Sequence, residues 1–333
     1  MIRALFAVLV SLVSFGAGAA PLKIATVAPE GSGWMREMRA GAAAIKTHTA
    51  GRVELKFYPA GVMGNDAAVL RKIKLGQLQG AAFTGAEASL VSKDAPVYGL
   101  PFLFRNYAEI DHVRPIVDPM LRAGFEKHGM VAAGISGGGF AYLMGTKPIR
   151  NADDLRTSKV WTPQNDRISA VAFAVGGVSP IPLPLADVYP SLQTGLVDTV
   201  ANTLAGTIFF QWHTKVKHVV DLPLTFVIGL LLIDSKVLAK LDEADRAIVL
   251  EEIQRAFDRI DASSRKENDD ARATLAKLGI TFAAPTAEEA QLWHEIGDKA
   301  EKKLLAQAEF TPGVVTAIRE ALASYRAGKS AQK

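Results

Sequence analysis

Cysteine is absent from the chain, so no disulfide, thiolate metal site or cysteine nucleophile can form. Histidine is scarce: the six residues His48, His112, His128, His213, His218 and His294 show no ligand spacing such as H-E-x-x-H. No Walker A run occurs, and no G-x-G-x-x-G follows a strand pattern, so neither a metal nor a nucleotide cofactor is expected. A strong charge of one sign is also missing, with 38 Lys and Arg against 34 Asp and Glu. No basic run is interleaved with aromatics, which argues against a nucleic-acid partner. Beyond the N-terminus, the apolar run 227–233 is far too short to cross a membrane and suits a buried strand.

What is present begins with an export signal. Met1-Ile2-Arg3 supplies a positive charge, 4–15 is apolar, and Ala17-Gly18-Ala19 offers small residues for cleavage. Residues 1–19 therefore read as a secretory signal peptide cut after Ala19. No cysteine follows it to carry lipid, so the mature chain is expected free in a Gram-negative periplasm, with no membrane insertion. Losing Arg3 lowers the positive excess from +4 to +3. A hydrophobic fraction of 49% and somewhat more than 310 mature residues suit two domains.

Strand and helix patterns alternate along the first half. The stretch 22–28 reads as a strand, 34–48 as a helix, 53–58 as a strand, 67–75 as a helix capped by Asp66, and 81–84 as a strand. A helix at 108–127 and a strand at 130–135 follow, and this order implies an α/β sandwich. Ser136-Gly137-Gly138-Gly139 reads as the crossover, with 140–145 opening a second domain and 227–233 returning to the first. No glycine or proline interrupts 243–277, where Ile253, Phe257 and Ile260 recur at helical spacing. Helices at 287–307 and 312–325 complete the pattern, with Thr311 and Pro312 suited to its last N-cap and first turn.

The run 181–198 carries the most information. It reads as a helix over 187–194, a left-handed stop at Gly195, and then a strand through 200–202 ending in Asn202. In open α/β sheets, ligands meet the protein at such strand ends. This run, together with Leu100-Pro101-Phe102-Leu103-Phe104, resembles the extracytoplasmic solute receptors of tripartite ATP-independent periplasmic (TRAP) transporters of the dicarboxylate-receptor type. The resemblance extends from Leu22 to about Ala327. It implies a two-lobed periplasmic binding protein, type II-like, each lobe a mixed sheet flanked by helices, with a long helix spanning both. The expected lobes are 20–138 plus 228–267, and 139–227 plus 268–333. The implied function is capture of a small organic acid between the lobes and its delivery to membrane subunits for ion-gradient-driven uptake.

That resemblance also places a solute contact at Asn202, and it exposes a departure. The carboxylate-gripping arginine of the family falls at Trp161, and a second one found in some members falls near Ala141; neither is present. Trp161 offers a flat apolar face and one donor, so the solute is expected to carry an aromatic or apolar portion. A carboxylate could instead be met by helix N-termini or by Arg167, Lys147 or Arg150. The candidate ligand-binding set is Trp161, Asn202, Phe140, Tyr142, Glu87, Gln164, Asp166 and Phe209, with Asp66 and Asn165 as further polar neighbours; Phe210 and Trp212 would extend the aromatic wall. Asp166 equally suits an N-cap of a helix starting at Arg167.

Two other readings compete. Gly134-Ile135-Ser136-Gly137-Gly138 formally matches a nucleophile elbow, which would make the chain a secreted serine hydrolase using Ser136. That motif needs a strand, a sharp turn and then a helix, whereas 140–144 reads as more strand. A binding protein serving another importer or a sensor is the other reading. No catalytic residue is assigned, and a non-enzymatic receptor is the expectation.

Overall fold

The computed structural model describes residues 21–330, and the expected signal peptide lies outside them. Strand β1 (Leu22–Ala25) leads to helix α1 (Gly33–His48), which starts where the Ser32 hydroxyl accepts from the Met35 amide and buries Met35, Met38 and Ile45. Strand β2 (Leu55–Tyr58) alternates buried and exposed residues beside β1. Helix α2 (Asp66–Lys74) is capped by Asn65, one residue earlier than expected, and Gly76 (φ 72°) ends its turn. Strand β3 (Gly80–Thr84) runs into the single-turn α3 (Gly85–Ala88), where Thr84 and Glu87 cap each other reciprocally. A 3-10 turn at Val97–Gly99 precedes α4 (Tyr107–Glu126), whose Pro115 and Pro119 sit on its exposed face.

The next strand decides the architecture. Strand β4 (Met130–Gly145) does not end at the glycines but continues through them into the second lobe. There follow α5 (Ala152–Arg156), β5 (Trp161–Pro163), α6 (Arg167–Val175), β6 (Ile181–Leu183), α7 (Val188–Thr194), β7 (Thr199–Thr203), α8 (Leu204–Phe209) and β8 (His218–Val220). Gly195 adopts φ 72° after α7, the left-handed stop its position called for. Strand β9 (Thr225–Asp234) returns to the first lobe, and α9 (Ser235–Leu238), α10 (Glu243–Lys277), β10 (Thr281–Ala283), α11 (Ala287–Ala306) and α12 (Val314–Ser330) complete the chain.

The two lobes share one eight-stranded mixed sheet in the order β10-β8-β4-β9-β3-β1-β2, with β7 also pairing β4; β5 and β6 form a separate parallel pair. This differs from one separate sheet per lobe. The reason lies in β4, which bends at register shifts between Ala132 and Gly134 and between Gly137 and Gly139 instead of breaking. Gly139 has φ 117°, a conformation that favours glycine.

Helix α10 is the expected spine, about 50 Å long from 1.5 Å per residue. It packs on α1 and β4 in the first lobe and on α8 in the second. It also grips the bend: Asp261 Oδ1 accepts from the Gly137 amide at 2.6 Å, and Asn268 Nδ2 donates to the Gly138 carbonyl at 2.9 Å. Arg114 locks the same place, donating to Asp261 Oδ2 at 2.6 Å and to the Ile135 carbonyl at 2.8 Å. Helix α11 packs on α6, but α12 packs on α4, where Arg326 pairs with buried Glu109. The tail over 314–330 thus returns to the first lobe, although the expected boundaries gave all of 268–333 to the second. It starts at Val314, so Thr311 and Pro312 precede the helix; the Thr311 amide donates to Asp94 instead.

Candidate functional site

Between the lobes lies a cleft of about 540 Å³. Its floor is the bent part of β4, with Ser136, Gly137, Gly138 and Ala141, beside 224–230 of the β9 region. The first lobe contributes the N-terminal ends of α1, α2 and α3, and the second contributes β5, the start of α6, and the β7–α8 junction. Most of its wall is apolar: Trp34, Phe83, Trp161, Ile168, Phe173, Phe209, Phe210, Phe226 and Ile228 all line it. Such a hollow, apolar with few convergent polar groups, is the form taken by small-molecule sites.

Each expected contact can now be placed. Trp161, Asn202, Glu87, Gln164, Asp166 and Phe209 line the cleft together. Phe140 and Tyr142 do not. Side chains alternate along β4, so Ala141 between them faces the cleft and they face away. Phe140 sits in the core, its ring centroid 5.3 Å from those of Tyr107 and Phe226. Tyr142 packs under the Arg272 guanidinium, 5.5 Å from ring centroid to Cζ. Both positions where the resemblance puts an arginine, Trp161 and Ala141, therefore face the cleft without one.

Trp161 is nearly all interior. It is 4% exposed, its Nε1 donates to the Leu183 carbonyl at 3.0 Å, and its ring meets Trp212 edge-on at 5.4 Å. Its donor is spent, so only its ring surface is available to a solute. Asn202 is arranged the opposite way. Its Oδ1 accepts from the Thr203 amide at 2.8 Å, while its buried Nδ2 has no partner among the described residues. Leaving such a donor unmatched costs on the order of 1–3 kcal/mol, which a ligand acceptor would recover. Asp166 caps α6, taking the Ser169 amide at 3.0 Å and its hydroxyl at 2.5 Å; burial nevertheless raises its carboxyl above the ordinary range. Gln164 is exposed at the mouth.

Glu87 is the unusual carboxylate. Burial pushes it up to about 7, against hydrogen bonds from the Thr84 amide and hydroxyl, and neighbouring Asp66 adds to the rise. Both of those bonds go to Oε2 at 2.8 and 3.1 Å, and Oε1 makes none within the described residues. Across the mouth, Asn165 Nδ2 donates to Asp66 Oδ2 at 2.6 Å and Ser89 Oγ reaches the Asn165 carbonyl at 3.4 Å. The two lobes thus touch in front of the cleft.

The expected alternative cations are elsewhere. Arg167 pairs with Glu309 at 2.8 Å, Arg150 pairs with Asp154 at 3.0 Å, and Lys147 does not line the cleft. Among the described residues that line it, none is Lys, Arg or His, whereas Asp66, Glu87, Asp166, Asp187 and Glu267 are acidic. Sequence reasoning missed Trp34, Phe173, Phe226 and Glu267. None lies in a motif, and only the fold brings them to one hollow. Ser136 does line the cleft, but it pairs with Gly229 in mid-strand, and the chain continues as strand to Gly145 with no sharp turn or helix after the serine. The geometry of a nucleophile elbow is missing. No helix among the described residues is long and apolar enough to cross a membrane, and no three His, Asp or Glu side chains among them gather as a metal site.

Two lobes joined by a bent shared sheet, spanned by one helix and enclosing a mostly apolar hollow, define a solute-binding protein. The chain belongs to the bacterial extracellular solute-binding protein family 7 (DctP), which matches residues 24–308. It is similar to the C4-dicarboxylate-binding periplasmic protein DctP of Rhodobacter capsulatus, 26% identical over 253 residues and 75% of each chain. It is also similar to the sialic acid-binding periplasmic protein SiaP of Vibrio cholerae, 22% identical over 81% of this chain and 84% of that one. In fold it matches a TRAP periplasmic solute-binding protein of Ralstonia eutropha with bound (S)-2-acetolactate, at a TM-score of 0.84 and 22% identity, covering 91% of this chain and 99% of that one. A TRAP solute-binding protein of Desulfovibrio salexigens with bound orotic acid matches at 0.83 and 20% identity, with the same coverage. The chain is thus an extracellular solute-binding protein of that family, and the expected two-lobed α/β fold holds.

Proposed function

We propose that this receptor takes a small organic acid with an aromatic or apolar portion into the cleft, closes on it, and hands it to membrane subunits for ion-gradient-driven uptake. The observation that carries the reading is the unpartnered Asn202 donor, held inside a cleft walled by Trp161, Phe209 and Phe226. Organic acids are what several structural neighbours hold, orotic acid, galactonate and succinate among them. Closure requires a solute that binds the closed state better than the open one. Shifting the balance from 1:99 to 99:1 takes about 5.5 kcal/mol. Burying roughly 150 Å² of an apolar solute face supplies nearly 4 kcal/mol of that at about 25 cal/mol per Å².

Mass spectrometry of whatever copurifies in the cleft tests the reading directly, together with thermal stabilisation across a library of organic acids. Recovery of an acid that also raises the melting temperature is the expected result; stabilisation by none of them would remove the proposal. Trp161→Ala is expected to weaken affinity for that acid at least tenfold by calorimetry, with Trp161→Phe weakening it less. Unchanged affinity in both would show that the ring serves only the packing against Trp212. The receptor role carries no catalysis: purified protein should turn over no generic ester, and Ser136→Ala should change nothing in that assay.

A further inference from the structure

The cleft poses an electrostatic problem that the proposed function does not answer. A carboxylate entering it meets no guanidinium, ammonium or imidazole among the described lining residues, and five acidic side chains instead. Four of those five are committed or peripheral. Asp66 holds Asn165, Asp166 holds Ser169, Glu267 faces Arg36 at 3.3 Å, and Asp187 is exposed on the rim. Glu87 differs, because its carboxylate meets only its own helix cap, both Thr84 bonds going to Oε2, and Oε1 makes no bond among the described residues.

We propose that the solute's carboxylate is anchored by the Glu87 carboxyl group through a shared proton, with the Asn202 amide as the second donor, in place of a guanidinium. This rests on the solute being an organic acid. An acid–carboxylate pair needs only one proton between two carboxyl groups, as in sites where two carboxylates lie too close for both to ionise. The resulting O–H···O⁻ bond belongs to the strong charge-assisted class. Thr84 keeps Glu87 Oε2 occupied as an acceptor, which leaves Oε1 to carry the proton. The surroundings favour that protonated form. Burial already holds Glu87 near 7, and Asp66 on α2 faces it with a like charge. Strand β3 brings no ionisable group, the Tyr98 hydroxyl in the 97–99 turn donates to Asp118 instead, and Asp234 of β9 lies at that strand's far end, opposite Met130. A second carboxylate against Glu87 would raise its proton affinity further.

The sign of the pH dependence follows. Below about pH 7 Glu87 brings its own proton and affinity is flat; above it the proton comes from solvent, and Kd rises about tenfold per pH unit. The test uses 3-phenylpropionate, 3-phenylpropionamide and 3-phenylpropylamine, titrated by calorimetry between pH 6 and 9 in buffers of different ionisation enthalpy. The acid is expected to bind best, to take up close to one proton per molecule at pH 8.5, and to weaken about 15-fold from pH 7 to 8.5. In Glu87→Gln, which keeps the capping pattern of α3 and a hydrogen-bond donor, the acid should still bind with its pH slope abolished. Glu87→Ala should lose it at every pH, with circular dichroism confirming that both variants fold. Acid binding that is independent of pH in the parent protein overturns the proposal, as does tighter binding of the amine or binding of none of the three. The organic-acid library decides the receptor reading separately, so an acid that stabilises the protein without proton uptake sinks the anchor and leaves the receptor standing.

Discussion

Gly134→Val should cost more than about 3 kcal/mol of stability, the largest loss expected from any single glycine in the shared strand. A Cβ at Gly134 would lie 2.2 Å from the Phe257 ring, inside contact distance. Phe257 cannot retreat, being fully buried on α10 with Trp34 edge-on at 6.4 Å. The clash sits where β4 meets the spine, so relief would require lifting α10 off the sheet. At roughly 2 °C per kcal/mol for a chain of this size, the melting temperature should fall by about 6 °C or more. Gly328→Ala is the control, because nothing lies within 4 Å of the added carbon. Melting of Gly134→Val within a degree of the parent would mean that strand and spine do not meet as described.

Asn202→Asp should abolish most solute binding while sparing the fold. The exchange keeps the Oδ1 that accepts from Thr203 but turns the unpartnered Nδ2 donor into a negative acceptor. An organic acid then loses a hydrogen bond and gains a like charge, a penalty of about 3 kcal/mol or more, roughly 100-fold in affinity. Calorimetry with the acid recovered from the cleft measures it, and a melting temperature within 2 °C of the parent shows that the loss is local. Affinity unchanged by the substitution would place the solute away from Asn202.

Much of this was legible before any coordinates. The α7–Gly195–β7 run, the Asp166 cap and the uninterrupted α10 each depend on local rules: a left-handed glycine, a side-chain acceptor, an apolar stripe at helical spacing. The missing arginine at Trp161 shows only through the family resemblance, since no local pattern says which face of the short strand β5 meets the hollow. Phe140 and Tyr142 failed for the same reason that Ala141 succeeded. Aromaticity suggested a wall, but in a strand the face is set by parity, and register shifts at 132–134 and 137–139 decide which parity reaches the cleft. In the sequence Glu87 is only a polar candidate, whereas its elevated proton affinity arises from burial and from Asp66, 21 positions away. Distances of that kind are properties of the fold and have no trace in local pattern.

The continuity of β4 and β9 through both lobes also bears on how the molecule comes apart. A receptor whose halves met only through loose connecting segments could lose one half while the other persisted. Here the ladder Met130 to Gly145 is held to one helix at Gly137 and Gly138. Heat or denaturant that frees either half strips backbone partners from the other, so the whole receptor should melt as one cooperative unit. The glycine bulge at Gly137 to Gly139 is where β4 bends at least cost, so any hinge motion is expected to centre there with both halves intact.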